Sequence, residues 1–191
     1  MHIALFGASF DPPHIAHKLI TETLINQKLA DEVWLVPVKD HPFGKNLSDE
    51  KIRLAMLKLM VETISIPDKV RIEEFELEQD QPSYSFQTLS VLSQKYPEHT
   101  FSWVIGSDNL AHFSEWFQVK QLLEKFTVYV YPREGSEHDQ LLAGMTLIAN
   151  VPEVAVSSTL IRENIREGVS IDGLVEPNVA QYIKENGLYV K

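Results

Sequence analysis

The fold of this chain follows from one stretch near its beginning, Ile3-Ala4-Leu5-Phe6-Gly7-Ala8-Ser9-Phe10-Asp11-Pro12-Pro13-His14-Ile15-Ala16-His17-Lys18. Its first four residues are all apolar, which predicts a strand that is buried on both faces of a parallel sheet. Gly7 permits a tight exit from the strand, and Asp11-Pro12-Pro13 predicts a rigid turn that excludes helix before Pro13. Apolar residues at positions 15, 19, 20, 24 and 25 follow helical spacing, so a helix should begin near Pro13 or His14.

A strand, a turn of small residues and a helix N-terminus together make an anion site. Free backbone N–H groups and the positive end of the helix dipole then face the same point. His14 and His17 stand three positions apart, so both lie on one face of the first helical turn, where two imidazoles suit phosphate oxygens. Taken alone, a single His would more often be a packed or solvated residue. A metal pair is disfavoured because the Glu of His-Glu-x-x-His is missing. The neighbouring Gly7, Ser9 and Pro-Pro turn favour phosphate.

Length and composition indicate an ordinary globular protein. The 191 residues predict one domain, residues 1–191, with a small helical part from about 157 to 191. The net charge of −10 argues against a nucleic-acid partner but not against a nucleotide held by local donors. The absence of cysteine excludes disulfides and thiolate metal sites. No signal peptide and no run long enough to cross a membrane is visible, so a cytoplasmic protein without a membrane partner is expected.

Apolar runs alternate with helical patterns along the rest of the chain. This alternation predicts an α/β fold with a mainly parallel sheet and helices on both faces. Further strands are expected at Glu32–Pro37, Val70–Phe75, Phe101–Ile105, Phe126–Tyr131 and Leu147–Ala149. Helices are expected after a Ser48 cap, over Phe86–Tyr96, at Asn109–Phe113 and Phe117–Lys125, after a Ser157 cap, and over Val175–Asn186.

The segment from Gly7 to His17 resembles a family signature. The signature is the Gly-x-(Ser/Thr)-Phe-(Asp/Asn)-Pro-x-His-x-Gly-His of the nucleotidyltransferase superfamily that carries a His-x-x-His motif, with Ala16 here in place of the second Gly. The resemblance is in particular to the bacterial nicotinate mononucleotide adenylyltransferases. It implies a Rossmann-like domain in which ATP and a mononucleotide 5′-phosphate meet at this turn. By the same resemblance, His14 and His17 are catalytic and bind ATP together with Gly7, Ser9 and Phe10.

A second anion site is indicated where Ser157-Ser158-Thr159 precedes a helical pattern. Hydroxyls in the first turn would supplement the free N–H groups, and Arg162 lies near enough on the same helix to fork onto a phosphate. Taken alone, this segment would be a capped helix with an exposed Arg. It resembles, however, the family's Ile-Ser-Ser-Thr-x-Ile-Arg motif. The resemblance implies that Ser157, Thr159 and Arg162 hold the ATP phosphates, with Arg162 counted among the catalytic residues.

Two more segments, 82–89 and 105–116, resemble the pyridine nucleotide branch of the family. Asp108, at the end of a predicted strand, is placed to accept hydrogen bonds from ribose hydroxyls. Trp116 offers a flat face on which a pyridine ring could stack. Their alternatives are a helix cap and a core residue. The resemblance implies ATP contacts from Gly106 and Asp108, and mononucleotide contacts from Ala8, Ser9, Lys45, Tyr84, Thr88 and Trp116.

The resemblance implies an adenylyltransferase. It would transfer AMP from ATP to nicotinate mononucleotide, giving nicotinate adenine dinucleotide and pyrophosphate, with Mg²⁺ bridging the phosphates. The 37–45 loop departs from the family pattern, which keeps open a sibling enzyme acting on nicotinamide mononucleotide or another phosphorylated acceptor. A non-catalytic nucleotide-binding sensor is the other alternative, and the intact His14, His17 and Arg162 weigh against it. The sequence also leaves open a homo-oligomer and the role of Arg133.

Overall fold

A computed structural model of the chain describes residues 1–39, 47–79, 84–133, 141–152 and 154–190. Within them, strands and helices alternate as expected. The strands are β1 (His2–Ala8), β2 (Glu32–Pro37), β3 (Val70–Ile72), β4 (Thr100–Gly106), β5 (Thr127–Tyr131) and β6 (Met145–Leu147). The α-helices are α1 (Ile15–Asn26), α2 (Glu50–Glu62), α3 (Ser85–Lys95), α4 (Val119–Lys125), α5 (Ser158–Glu167) and α6 (Pro177–Glu185). Pro67–Lys69, Phe75–Glu78 and Ser107–Glu115 form 3₁₀ helices.

The strands of the described residues form one parallel sheet in the order β3-β2-β1-β4-β5-β6. The central strand β1 pairs with β2 on one side and with β4 on the other, so Leu5 lies beside both Trp34 and Trp103. The chain order reverses between β1 and β4. This is the Rossmann-type strand order, which confirms the predicted fold class. Ligands of such sheets bind outside the carboxyl ends of the strands at the point of reversal.

The two faces of the sheet bury two separate hydrophobic clusters. Alternate side chains of β1 point to opposite faces, so Ala4 and Phe6 belong to one cluster while Ile3 and Leu5 belong to the other. The first cluster takes in side chains of α1, α2, α5 and α6, and the second takes in side chains of α3 and α4. β1 is thus buried on both faces, as its unbroken apolar run predicts.

Several element boundaries differ from the prediction for local reasons. α2 is capped by Asp49, whose carboxylate accepts from the Lys51 N–H at 2.8 Å, and not by Ser48. β3 ends at Ile72 and not at Phe75, because the chain turns into a 3₁₀ helix at Phe75. β6 begins earlier than predicted, at Met145. The predicted Ser157 cap of α5 is confirmed, since its hydroxyl accepts from the Leu160 N–H at 3.1 Å.

Gly7 has a different role from the one expected. It lies inside β1, whose last residue is Ala8, so it does not form the exit from the strand. A Cβ at Gly7 would overlap the indole ring of Trp103 on β4, so glycine lets the two central strands pack at this point. The turn itself begins beyond the strand, where Phe10 adopts a left-handed φ of 48°.

Candidate active site

The candidate site lies at the reversal between β1 and β4. The segment after β1 carries Ser9, Phe10 and the two histidines of the first motif, and the segment after β4 begins with Ser107-Asp108. Parallel strands end at the same edge of a sheet, so both segments emerge on one side. The N-terminus of α5 joins them through hydrogen bonds to the turn. The first and second motifs, which are far apart in sequence, are therefore brought together.

His14 and His17 form a stacked pair at the start of α1. His14 is the residue before the first helical turn, and its backbone N–H donates to Nδ1 of His17 at 3.1 Å. The two rings stack with centroids 3.7 Å apart and an interplanar angle of 26°. On its other sides the His17 ring contacts Phe10, at 4.8 Å, and Phe6, at 5.6 Å. Both imidazoles are consequently fixed by their neighbours before any ligand arrives.

Both imidazoles are held neutral. Burial lowers the pKa of His14 to about 3, and the positive charge of Arg133 acts in the same direction. Burial also lowers the pKa of His17 well below its usual value, with His14 and Arg133 as smaller causes. Because Nδ1 of neutral His17 accepts the His14 N–H, its proton is on Nε2. His17 can therefore donate an N–H hydrogen bond without carrying a charge.

The N-terminus of α5 is tied to the turn that precedes the histidines. Nη1 of Arg162 donates to the Asp11 carbonyl oxygen at 2.7 Å, and the Ser158 hydroxyl donates to the Pro12 carbonyl oxygen at 2.9 Å. Nη2 of Arg162 donates to the Thr159 hydroxyl at 3.2 Å. The Ser157 oxygen caps α5, which leaves its own O–H able to donate elsewhere. Free N–H groups of α5, three hydroxyls and a guanidinium thus face the same region as the histidine pair.

Ala8 and Ser9 of the first motif hold the neighbouring segments through hydrogen bonds of their backbone carbonyl groups. The Phe10 ring is fully buried and supports His17, so a ligand contact from Phe10 would have to come from its backbone. The Ala8 carbonyl oxygen accepts from the Val38 N–H at 3.1 Å, which ties the end of β1 to the segment after β2. The Ser9 carbonyl oxygen accepts from Nη1 of Arg53 at 2.9 Å. The side chains of Ala8 and Ser9 are only partly buried.

A cavity of about 440 Å³ opens beside the reversal. The side chains that line it include Ala16, Asp108, Tyr131, Arg133, Val156 and Ser157. Arg133 spans one wall, because its Nη1 donates to Asp108 Oδ2 at 2.8 Å and its Nη2 donates to the Val156 carbonyl oxygen at 3.2 Å. A Cβ at Gly106 would overlap the side chains of Asp108 and Arg133, so glycine lets this pair close over the end of β4.

Three of the residues expected to hold the mononucleotide contact other side chains of the protein. Thr88 is buried, and its hydroxyl donates to Oε1 of Glu76 at 2.6 Å. Tyr84 is exposed, with its ring 5.0 Å from that of Phe117. Trp116 is half-buried, with its ring 4.8 Å from that of Phe113. Lys45, also expected here, lies outside the described residues, as does most of the 37–45 loop.

Three residues at this site were not predicted from the sequence. Arg53 is buried and donates to carbonyl oxygens of Ser9 and Val38, which joins the segments after β1 and β2. The sequence signal for Arg53 is its helical spacing from positions 56, 57 and 60, which places a charged side chain on the buried face of α2. The sequence assigned no role to Arg133, which the structure places on the wall of the cavity. Tyr189, two residues before the end of the chain, donates to Oδ1 of Asp11 at 2.5 Å.

Metal-binding clusters and membrane-spanning helices are both absent from the described residues. No group of three or more His, Cys, Asp or Glu side chains in this part of the chain is arranged to hold a metal ion. No helix in the same residues combines the length and the apolar character needed to cross a bilayer.

Comparison with known proteins places the chain in a family. Residues 5–164 match the cytidylyltransferase-like family. The chain is 34% identical to the nicotinate-nucleotide adenylyltransferase of Bacillus subtilis strain 168, with 98% of this chain and 97% of the relative covered. In fold it is similar to Plasmodium falciparum nicotinic acid mononucleotide adenylyltransferase complexed with NaAD (TM-score 0.86, 20% identity), with 98% and 97% of the two chains covered. The chain therefore belongs to the cytidylyltransferase-like family and, within it, to the nicotinate-nucleotide adenylyltransferases.

Proposed function

We propose that this chain transfers the adenylyl group of ATP to nicotinate mononucleotide, forming nicotinate adenine dinucleotide and releasing pyrophosphate. The observation that carries the proposal is the contact between α5 and the turn after β1. Arg162 is bonded to the Asp11 carbonyl oxygen, three positions before the stacked pair of His14 and His17, and this supports a shared role on phosphate. The full-length similarity to nicotinate-nucleotide adenylyltransferases supports the same activity.

In the proposed reaction, an oxygen of the mononucleotide 5′-phosphate attacks the α-phosphorus of ATP. The bond from that phosphorus to the oxygen bridging to the β-phosphorus breaks, and pyrophosphate leaves. The attacking oxygen is already an anion, so neither a covalent intermediate nor a strong base is required. The protein acts by positioning the reactants and by stabilising charge on the phosphoryl oxygens. Two neutral imidazoles suit this role, since they donate hydrogen bonds without needing to take up a proton.

Each residue predicted to bind phosphate has a place in this scheme. His17 Nε2–H would donate to an α-phosphoryl oxygen. His14, whose ring stacks on that of His17, is proposed to contact the same phosphoryl group through its imidazole. Ser157, Thr159 and Arg162 would hold the β- and γ-phosphates at the N-terminus of α5, where dipole and N–H groups favour anions. The binding roles of Gly7, Ser9 and Phe10 are proposed as backbone contacts at the end of β1 and along the turn that follows it.

The cavity beside Asp108 is proposed to hold the adenosine of ATP. Its volume of about 440 Å³ falls in the range of small-molecule sites, and its lining is mostly apolar with a few polar groups. Asp108 would accept from ribose hydroxyls, as expected from its position at the end of β4. It is bonded to Arg133 in the structure, so we propose that ATP binding exchanges this ion pair for contacts to the ribose and the phosphates.

The mononucleotide is proposed to lie on the opposite side of the histidine pair. Tyr84, Thr88 and Trp116 would contact its base, Ala8 and Ser9 its phosphate, and Lys45 is retained from the sequence prediction. Mg²⁺ would accompany ATP as a substrate complex, where it neutralises charge on the phosphates. We also propose that the chain forms one domain, because side chains of α5 and α6 share a hydrophobic cluster with those of β1. A cytoplasmic location is proposed as well, as expected from the sequence.

Pyrophosphate release with ATP and Mg²⁺ tests the proposal directly. We expect release with nicotinate mononucleotide and a much lower kcat/KM with nicotinamide mononucleotide. The reverse preference would support the same reaction with nicotinamide mononucleotide as the acceptor, which is the activity of the sibling enzyme. No release with either acceptor, together with measurable ATP binding, would overturn the proposal and leave another phosphorylated acceptor or the non-catalytic sensor. The same assay with further phosphorylated acceptors separates those two, because only the sensor releases no pyrophosphate with any of them.

A further inference from the structure

Asp11 is a point at which three distant parts of the chain meet. Its Oδ2 accepts from the Ser48 backbone N–H, just before α2, at 3.0 Å. Its carbonyl oxygen accepts from Arg162 of α5 at 2.7 Å. Its Oδ1 accepts from the Tyr189 hydroxyl at 2.5 Å. Asp11 is buried and stands only three positions before His14, so what holds Asp11 also holds the turn on which the histidine pair rests.

The C-terminal segment is bent back to make its contact. Gly187 has a φ of 58°, and the Leu188 N–H donates to the Ile183 carbonyl oxygen at 3.0 Å, which reverses the chain after α6. Tyr189 itself has a φ of 64°, a conformation that costs a non-glycine residue energy. Such a conformation persists only where surrounding contacts impose it. Phe10, the residue next to Asp11, is also left-handed, so two strained residues adjoin the same carboxylate.

The Tyr189 hydroxyl is held as a donor. Burial raises the pKa of Tyr189 well above its usual value, and its hydrogen bond to Asp11 acts in the same direction. The ring also packs against the cluster that contains Met56, Val179 and Ile183. A tyrosine that is both packed and bonded restricts the movement of the group it bonds. A phenylalanine would keep the packing of the ring and lose the hydroxyl that restrains Asp11, together with its weaker contact to the Met56 sulfur.

We propose that Tyr189 is a positioning residue for adenylyl transfer, whose hydroxyl fixes Asp11 and thereby the turn that carries His14 and His17. Tyr189 touches no substrate in this proposal. It completes the restraint that Ser48 and Arg162 apply from the other sides, so the histidines are set before ATP arrives. The inference rests on the proposed function and names a further residue of the same site.

Tyr189→Phe tests the inference, with Tyr129→Phe as its matched control. The Tyr129 hydroxyl donates to the Leu29 carbonyl oxygen at 3.0 Å, so each variant removes a tyrosine hydroxyl that is bonded inside the protein. We expect Tyr189→Phe to lower kcat on the order of tenfold, the scale of one hydrogen bond to a charged group, with KM for both substrates within about twofold. Tyr129→Phe should lower the melting temperature to a similar extent and leave kcat unchanged.

Asp11→Ala supplies the second readout, because alanine removes the oxygen that accepts from Tyr189. If Tyr189 acts through Asp11, Tyr189→Phe should cause little further loss of kcat in the Asp11→Ala background, because coupled residues are not additive. A kcat within about twofold of wild type in Tyr189→Phe would overturn the inference, as would an undiminished loss in the double variant. A wild-type chain that releases no pyrophosphate would instead overturn the proposed function. The comparison of the two tyrosine variants decides the inference even if Asp11→Ala does not fold.

Discussion

The phosphate side and the base side of the candidate site differ in how they are built. On the phosphate side, hydrogen bonds from Arg53, Ser158, Arg162 and Tyr189 converge on the turn after β1, and the histidine rings stack on each other. On the base side, the residues expected to act are bonded to, or packed against, other side chains of the protein. Thr88 is bonded to Glu76, and the rings of Tyr84 and Trp116 contact other aromatic residues.

The difference reflects what each half of the substrate pair needs. Phosphates are recognised by charge, N–H groups and helix ends, which a short motif supplies from neighbouring positions. A flat base is recognised by a shaped surface, which segments far apart in sequence have to assemble. Substitutions on the phosphate side should therefore lower kcat, whereas substitutions on the base side should raise the KM of one substrate.

The largest effect is expected for His17→Asn. The amide side chain can still accept the His14 N–H in place of Nδ1 but has nothing at the position of Nε2. Loss of this donor should lower kcat on the order of 10²-fold or more, with little change in KM. Steady-state pyrophosphate release measures both constants. His112→Asn is the control, since His112 is exposed and bonded to Glu115. A kcat within a few-fold of wild type would show that His17 has only a structural role.

Folding stability should depend on pH through His14. Its pKa is lowered to about 3 in the folded chain, so between pH 3 and about 6.5 the unfolded chain binds more protons. The contribution of His14 to the free energy of unfolding is therefore fully present above about pH 6.5 and is lost as the pH falls toward 3. From pH 7.5 to 5 this amounts to about 2 kcal/mol of unfolding free energy. Denaturant unfolding of wild type and His14→Gln at the two pH values isolates the effect.

If wild type and His14→Gln lose the same free energy of unfolding between the two pH values, then His14 is not buried as a neutral imidazole. The same neutrality predicts that neither histidine adds a step to the pH profile of kcat between about pH 5.5 and 8, so wild type and His14→Gln should have profiles of the same shape. A step in kcat near the ordinary histidine pKa that is absent in His14→Gln would contradict it as well.

The smallest effect is expected on the base side, for Trp116→Leu. Loss of a stacking face should raise the KM for the mononucleotide by about two- to tenfold, corresponding to about 0.5–1.5 kcal/mol, with the KM for ATP unchanged. Initial rates at varied concentrations of each substrate measure this. Phe126→Leu is the control, because Phe126 packs against the same cluster through Phe86. Equal KM values in both variants would assign Trp116 to the core alone.

The sequence by itself determined the parallel α/β class and the phosphate side. An unbroken apolar run at Ile3–Phe6 requires burial on both faces, and His14 and His17 are neighbours on any helix that begins at the Pro-Pro turn. The Ser157 cap is equally local, since the hydroxyl bonds an N–H only three residues away. Each of these features depends on residues close together in the chain, so short-range geometry is sufficient to predict it.

Only the tertiary structure decided how the parts are joined. Tyr189 and Asp11 stand 178 positions apart, and no local pattern indicates that they are bonded. Gly7 was assigned to a tight turn, whereas its small size is required by Trp103 on the neighbouring strand. The bond from the Thr88 hydroxyl to Glu76 joins α3 to the 3₁₀ helix after β3, and the sequence does not indicate this partner. In each case the decisive partner comes from another element, and that partner is chosen by the packing of the whole sheet and its helices.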